Sequence, residues 1–122
     1  MSKTILLVDD SATILMSVQQ TLQMSGFKVE TARDGLDAFN RIKGGLKPDL
    51  IITDINMPNM NGLELIKNIR PILRFTPILA LTTESQAAKR DEAKKIGATG
   101  WLVKPVAGAE LLRIVKQVLP GA

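Results

Sequence analysis

The stretch Pro48-Asp49-Leu50-Ile51-Ile52-Thr53-Asp54-Ile55-Asn56-Met57-Pro58 most constrains what this chain can fold into. Its apolar run carries β-branched Ile51, Ile52 and Thr53, lacks helical spacing, and stops on an acid shortly before a Met-Pro pair. Such a run reads as a strand buried on both faces, the kind found in parallel sheets covered by helices on either side. Asp54 then stands at the strand's carboxyl end, the edge where open parallel sheets bind ligands.

The same pattern recurs along the chain. Thr4-Ile5-Leu6-Leu7-Val8 is continuously apolar and ends on Asp9-Asp10. Ser11 suits a helix N-cap, and Ile14, Leu15, Val18 and Leu22 follow at helical spacing until Ser25-Gly26. Phe27 to Ala32 reads as a short alternating strand, and Asp34-Gly35 opens a second helix with Leu36, Phe39 and Ile42 expected on its inner face. After the turn-forming Met57 to Gly62, a third helix is expected to turn Leu63, Ile66 and Ile69 inward until Pro71. Pro77 to Thr83 reads as a fourth strand, and Thr83 with Gln86 fits a capping box. The helix that follows, about Ser85 to Ile96, is the least apolar and is expected to be loosely held. Gly100 to Val103 forms a fifth strand ending at Lys104-Pro105, and a last helix carries Leu111, Leu112, Val115, Val118 and Leu119. Five strands alternating with five helices imply an α/β doubly wound parallel sheet with right-handed crossovers, a single domain over residues 1–122.

Composition narrows the chemistry. The 122 residues contain no cysteine and no histidine, which removes thiol chemistry, the usual transition-metal ligands and any phosphohistidine of the chain's own. A histidine that passes phosphate must belong to a partner. The net charge of +4 comes from 16 basic and 12 acidic residues; the bases are spread along the chain, so the charge reads as a solvated surface and no nucleic-acid partner is expected. The sequence shows neither a membrane-length apolar run nor a signal peptide, which places the expected location in the cytoplasm.

Collected at one edge by this topology are Asp9, Asp10, Asp54, Thr82, Thr83 and Lys104. Crowded carboxylates raise one another's pKa and call for a cation. Magnesium (Mg2+) fits, because it takes one or two carboxylates and keeps waters that a phosphate can displace. Lys104 offers a point charge and Thr82 a hydroxyl, the groups a transferring phosphoryl needs around its oxygens. Asp54 is then the nucleophile that forms an aspartyl phosphate.

At these residues the chain resembles the receiver domains of two-component response regulators, most of all the stand-alone CheY-like, chemotaxis type. The resemblance runs the whole length and rests on Val8-Asp9-Asp10-Ser11, Asp54-Ile55-Asn56-Met57-Pro58, Leu81-Thr82-Thr83 and Lys104-Pro105. It implies a flavodoxin-like strand order 2-1-3-4-5, direct magnesium ligation by Asp10, assistance from Asp9 through water, and further metal-site residues in Asp54 and the backbone carbonyl of Asn56. It implies that Lys104 neutralises the phosphoryl group, that the bond before Pro105 is cis, and that Thr82 and Trp101 form the switch. Asn56 and Glu84 are the positions expected to tune phosphoryl loss. The expected phosphodonor is a CheA-like histidine kinase. The expected target is a protein such as the flagellar motor switch, since no output domain is expected and the chain is expected to be a monomer.

Two positions and one segment depart from the family pattern: Trp101 where Tyr or Phe is usual, Val106 where Phe is frequent, and Arg70-Pro71-Ile72-Leu73-Arg74-Phe75 at the end of the third helix. The bulkier Trp101 alternatively serves as packing between the last two helices. A phosphorelay shuttle or phosphate sink is the alternative role. An Asp-nucleophile phosphatase of the haloacid-dehalogenase type needs a second acid two residues after its nucleophile, and Asn56 cannot shuttle that proton. A flavodoxin or dinucleotide module needs a phosphate-friendly helix start after the first strand, where Asp9-Asp10 would repel the ligand. Beyond self-catalysed phosphorylation and dephosphorylation, no enzymatic activity is expected.

Overall fold

The computed structural model of the chain describes residues 2–82 and 87–119, with the side chains of residues 82 and 87 outside that description. Five parallel strands, β1 (Thr4–Val8), β2 (Lys28–Ala32), β3 (Leu50–Asp54), β4 (Ile78–Thr82) and β5 (Gly100–Val103), form one sheet in the order β2-β1-β3-β4-β5. Between and after them come α1 (Ala12–Met24), α2 (Gly35–Lys43), α3 (Gly62–Ile69), α4 (Ala87–Lys95) and α5 (Gly108–Val118). The strand order implied by the resemblance is the one observed.

Alternation along the strands divides the core in two. Ile5, Leu7, Leu50, Ile52, Leu79 and Leu81 pack with Leu22 of α1 and with Leu111 and Val115 of α5. Their neighbours Leu6, Val8, Ile51 and Ile78 point to the other face, against Ala38 and Ile42 of α2 and Leu65, Ile66 and Ile69 of α3. All five residues of β3 are buried, as a central strand covered on both faces requires. Because β2 and β3 flank β1 and the connections leave it in opposite directions, a crevice opens at the carboxyl ends of β1 and β3.

Several local expectations need correction. Leu36 is 43% exposed, because α2 buries Gly35, Ala38 and Ile42, a stripe at helical spacing that leaves Leu36 to one side. In α3 the buried stripe is Gly62, Leu65, Ile66 and Ile69, so Leu65 takes the place expected of Leu63. β2 starts at Lys28, one residue late, because Phe27 donates its N–H to Leu22 and closes α1 after Gly26 at φ +92°. The Thr83–Gln86 capping box lies outside the described residues. A capping box occurs instead at Asn61 and Glu64, which start α3 by each accepting from the other's backbone N–H, at 2.8 and 3.1 Å.

Candidate functional site

β1 and β3 deliver two acids to the crevice already desolvated. Asp9 follows the last residue of β1, donates its N–H to Ala32 of β2, and is 1% exposed. One of its oxygens, Oδ1, accepts from the N–H of Ser11 at 2.9 Å. Asp54 ends β3, is 6% exposed, and accepts the N–H of Ile55 on Oδ1 at 2.8 Å. Asp10 stays exposed beside them, and one carboxylate oxygen from each of Asp9, Asp10 and Asp54 lies within 4.8 Å of the others.

Lys104, one residue past β5, reaches back across the edge. Its Nζ lies 2.8 Å from Oδ2 of Asp9 and 3.4 Å from Oδ2 of Asp54. The bond to Pro105 is cis, as the resemblance implied. Burial pushes the Asp54 carboxyl above the usual aspartate range, the charge of Asp9 adds to the rise, and Lys104 with the Ile55 N–H opposes it. One lysine against three acids leaves net negative charge. The donor set is all carboxylate oxygen, which suits a hard divalent cation and leaves coordination positions for water or phosphate oxygens.

The loop after β3 is held from both sides. The N–H of Gly62 donates to Ile55 at 2.9 Å, and a Cβ on Gly62 would stand 2.1 Å from the carbonyl oxygen of Asp54. Farther out, Asn59 adopts φ 67° and donates from Nδ2 to Oδ2 of Asp34, the N-cap of α2, at 2.7 Å. Asn56 is exposed two residues past Asp54, and its Oδ1 accepts from Nζ of Lys89 in α4 at 3.2 Å.

Asp9, Asp10, Asp54 and Lys104 are therefore brought together. Thr82 ends β4 opposite Val103, at the same edge, while its side chain and all of Glu84 lie outside the described residues. Trp101 pairs with Ala80 in the sheet and is half-buried, lining a cavity of about 350 Å³ with Arg90, Ala93 and Lys94 of α4. Its indole Nε1 is buried without a hydrogen-bond partner among the described residues. Sequence reasoning missed Gly62, Lys89 and the backbone donors of Ser11 and Ile55. Asn61-Gly62-Leu63-Glu64 carries a readable helix-start signal, whereas nothing local in the sequence marks Lys89.

Comparison with known proteins bears on the family and the fold. A family model described as the response regulator receiver domain matches residues 5–116. The transcriptional regulatory protein PrrA of Mycobacterium leprae is 37% identical over 118 residues, 97% of this chain and 50% of that protein. The alkaline phosphatase synthesis transcriptional regulatory protein PhoP of Bacillus subtilis is 35% identical over 119 residues, covering 98% of this chain and 49% of that one. The chain thus spans about half the length of the curated relatives it matches. Among solved structures, the chemotaxis protein CheY4 of Vibrio cholerae superposes with a TM-score of 0.92 at 45% identity, over 98% of this chain and all of that one. A CheY-like receiver domain protein from Methanospirillum hungatei gives a TM-score of 0.93 at 28% identity, over 98% and 94%.

Proposed function

Because the chain belongs to the response regulator receiver domain family of two-component signalling, we propose that it takes a phosphoryl group onto Asp54 from the phosphohistidine of a partner histidine kinase, CheA-like in the leading case. The observation that carries this reading is Lys104, placed between the carboxylates of Asp9 and Asp54 in a cluster of three acids.

In the transfer, a carboxylate oxygen of Asp54 forms a bond to phosphorus as the P–N bond of the donor breaks, and the electron pair of that bond stays on the donor's imidazole. Asp9, Asp10, Asp54 and the backbone carbonyl of Asn56 would hold magnesium, which when bound supplies positive charge to the phosphoryl oxygens. Lys104 stands on the buried side of the site and shifts its hold from Asp54 to a phosphoryl oxygen as the carboxylate is esterified. Thr82 approaches the phosphoryl group as the switch residue. Loss of the group is self-catalysed hydrolysis: water attacks phosphorus, inorganic phosphate leaves and the Asp54 carboxylate is regenerated. The neutral amide of Asn56 cannot supply the proton shuttle that a multiple-turnover Asp-phosphatase needs.

The output is altered protein binding, and the likeness to a chemotaxis protein at 45% identity supports a chemotaxis-type regulator, which we read as cytoplasmic, monomeric and acting on the flagellar motor switch. The transcriptional regulators among its relatives support a second reading, in which the receiver controls a DNA-binding partner. No described helix is long and apolar enough to cross a membrane. Incubation with acetyl phosphate and magnesium, followed by mapping of the label, tests the acceptor: label on Asp54 is expected, and label that survives Asp54→Asn would overturn it. Capture of a flagellar switch protein by the phosphorylated chain would separate the chemotaxis output from the transcriptional one.

A further inference from the structure

Two lysines donate at or beside the carboxyl end of β3, and they are held differently. Lys104 has a side chain only 9% exposed and lies against two carboxylates. It is therefore in place before any ligand arrives. Lys89, in the first turn of α4, is half-buried and donates to the side-chain oxygen of an exposed neutral amide, Asn56, at 3.2 Å. A neutral amide is a weaker acceptor for an ammonium than an anionic oxygen. Released from Lys89, the exposed Asn56 amide can hydrate, so the exchange leaves no buried group unpaired.

The position of this contact matters because Asn56 is two residues from Asp54, on the loop after β3. A phosphoryl group on Asp54 would bring about −1.5 to −2 charges and three acceptor oxygens to that edge. Lys104 would meet them from the buried side. Lys89, a flexible four-carbon stem with three donors, is held two residues away, at the Asn56 side chain. We propose that Lys89 is a second phosphoryl-binding cation, which donates to Asn56 in the resting protein and to a phosphoryl oxygen once Asp54 is phosphorylated. The proposal rests on the reading of Asp54 as the phospho-acceptor. It assigns to α4 a direct contact with the phosphoryl group, in addition to the one expected of Thr82.

A partly exposed cation that assists an anionic donor speeds the reaction by charge, so its effect is screened by salt. The rate of labelling by acetyl phosphate with saturating magnesium is to be measured for the unmodified chain, Lys89→Met and Lys89→Arg, each at low and high salt. Circular dichroism verifies the fold of each variant. Lys89→Met is expected to be slower by about three- to fivefold at low salt, to approach the unmodified rate at high salt, and to be largely rescued in Lys89→Arg. Equal rates for Lys89→Met and the unmodified chain at low salt would overturn the proposal. So would a deficit shared by Lys89→Arg and insensitive to salt, which marks a packing role. The label is mapped in parallel: its absence from Asp54 in the unmodified chain would overturn the acceptor assignment itself, an outcome separate from any difference among the Lys89 variants.

Discussion

Lys104 sits closer to Asp9 than to Asp54, with Nζ at 2.8 Å from one carboxylate and 3.4 Å from the other. Asp9 thus anchors the lysine, and Asp54 keeps the looser contact that the proposed phospho-acceptor would give up. Removing the cation while leaving both acids buried uncovers their repulsion, and breaking such a pair from one side costs about 3 kcal/mol. Lys104→Met is expected to lower stability to urea by that order at pH 7. In an Asp54→Asn background the loss should shrink, because one of the stranded charges is gone. An undiminished loss in the double variant would mean that Lys104 acts through packing.

The raised pKa of Asp54 fixes the sign of a second effect. The folded state holds the Asp54 proton more tightly than the unfolded chain does, so this group favours folding in acid and loses that contribution as pH rises through its folded pKa. At neutral pH without metal, Asp54 therefore costs stability. Asp54→Asn should raise the thermal midpoint in EDTA at pH 7, and the gain should fade as pH drops through the raised pKa. Magnesium should reverse the order by stabilising the unmodified chain through binding. Thermal scans across pH, with and without magnesium, check both signs.

Gly62→Ala sets two effects against each other. Alanine is favoured over glycine in a helix by about 1 kcal/mol, but its Cβ would stand 2.1 Å from the Asp54 carbonyl oxygen. Overpacking against backbone costs up to about 3 kcal/mol. The clash should win, with a net loss of about 2 kcal/mol in urea unfolding. Because the displaced atom belongs to Asp54, the labelling rate should fall as well. A stabilised variant with normal labelling would show that the loop has room to shift.

Arg70 holds the segment that follows α3. Its Nη1 donates to the carbonyls of Leu73, Arg74 and Thr76, and its Nη2 donates to Gly97 beyond α4. One guanidinium therefore organises the chain between α3 and β4 and ties it to the end of α4. Lysine cannot span that fan of acceptors. Arg70→Lys is expected to cost about 2 kcal/mol by urea denaturation, without changing the labelling rate at the far edge of the sheet.

How much was legible follows from how local each signal is. Thr4–Val8 matches its strand to the residue because charges bound the apolar run on both sides. The acids were legible because strand alternation and topology alone bring strand ends together, with no side chain needing to be placed. Leu36 was misassigned because in a nine-residue helix a shift of one position re-aims the whole inner stripe. Lys89 escaped because its partner Asn56 is 33 residues away, and no periodicity records a contact between two loop-facing polar groups. The role of Arg70 was not legible because its four acceptors are backbone carbonyls, which sequence does not distinguish.

Trp101 carries the remaining test. It is the one tryptophan in the chain, and its buried Nε1 lacks a partner among the described residues. An unsatisfied N–H costs about 1–3 kcal/mol, so this indole is poised to gain from any rearrangement that supplies an acceptor or water. Its cavity is shared with α4, the helix that carries Lys89, so movement of α4 on phosphorylation should change its surroundings. Emission should shift when acetyl phosphate and magnesium are added, and Asp54→Asn should abolish the shift. Trp101→Phe removes the orphaned N–H but also part of the ring, and these opposing terms should hold the stability change within about 1 kcal/mol. A large loss, together with emission that phosphorylation leaves unchanged, would make Trp101 a packing residue and leave Thr82 to carry the switch.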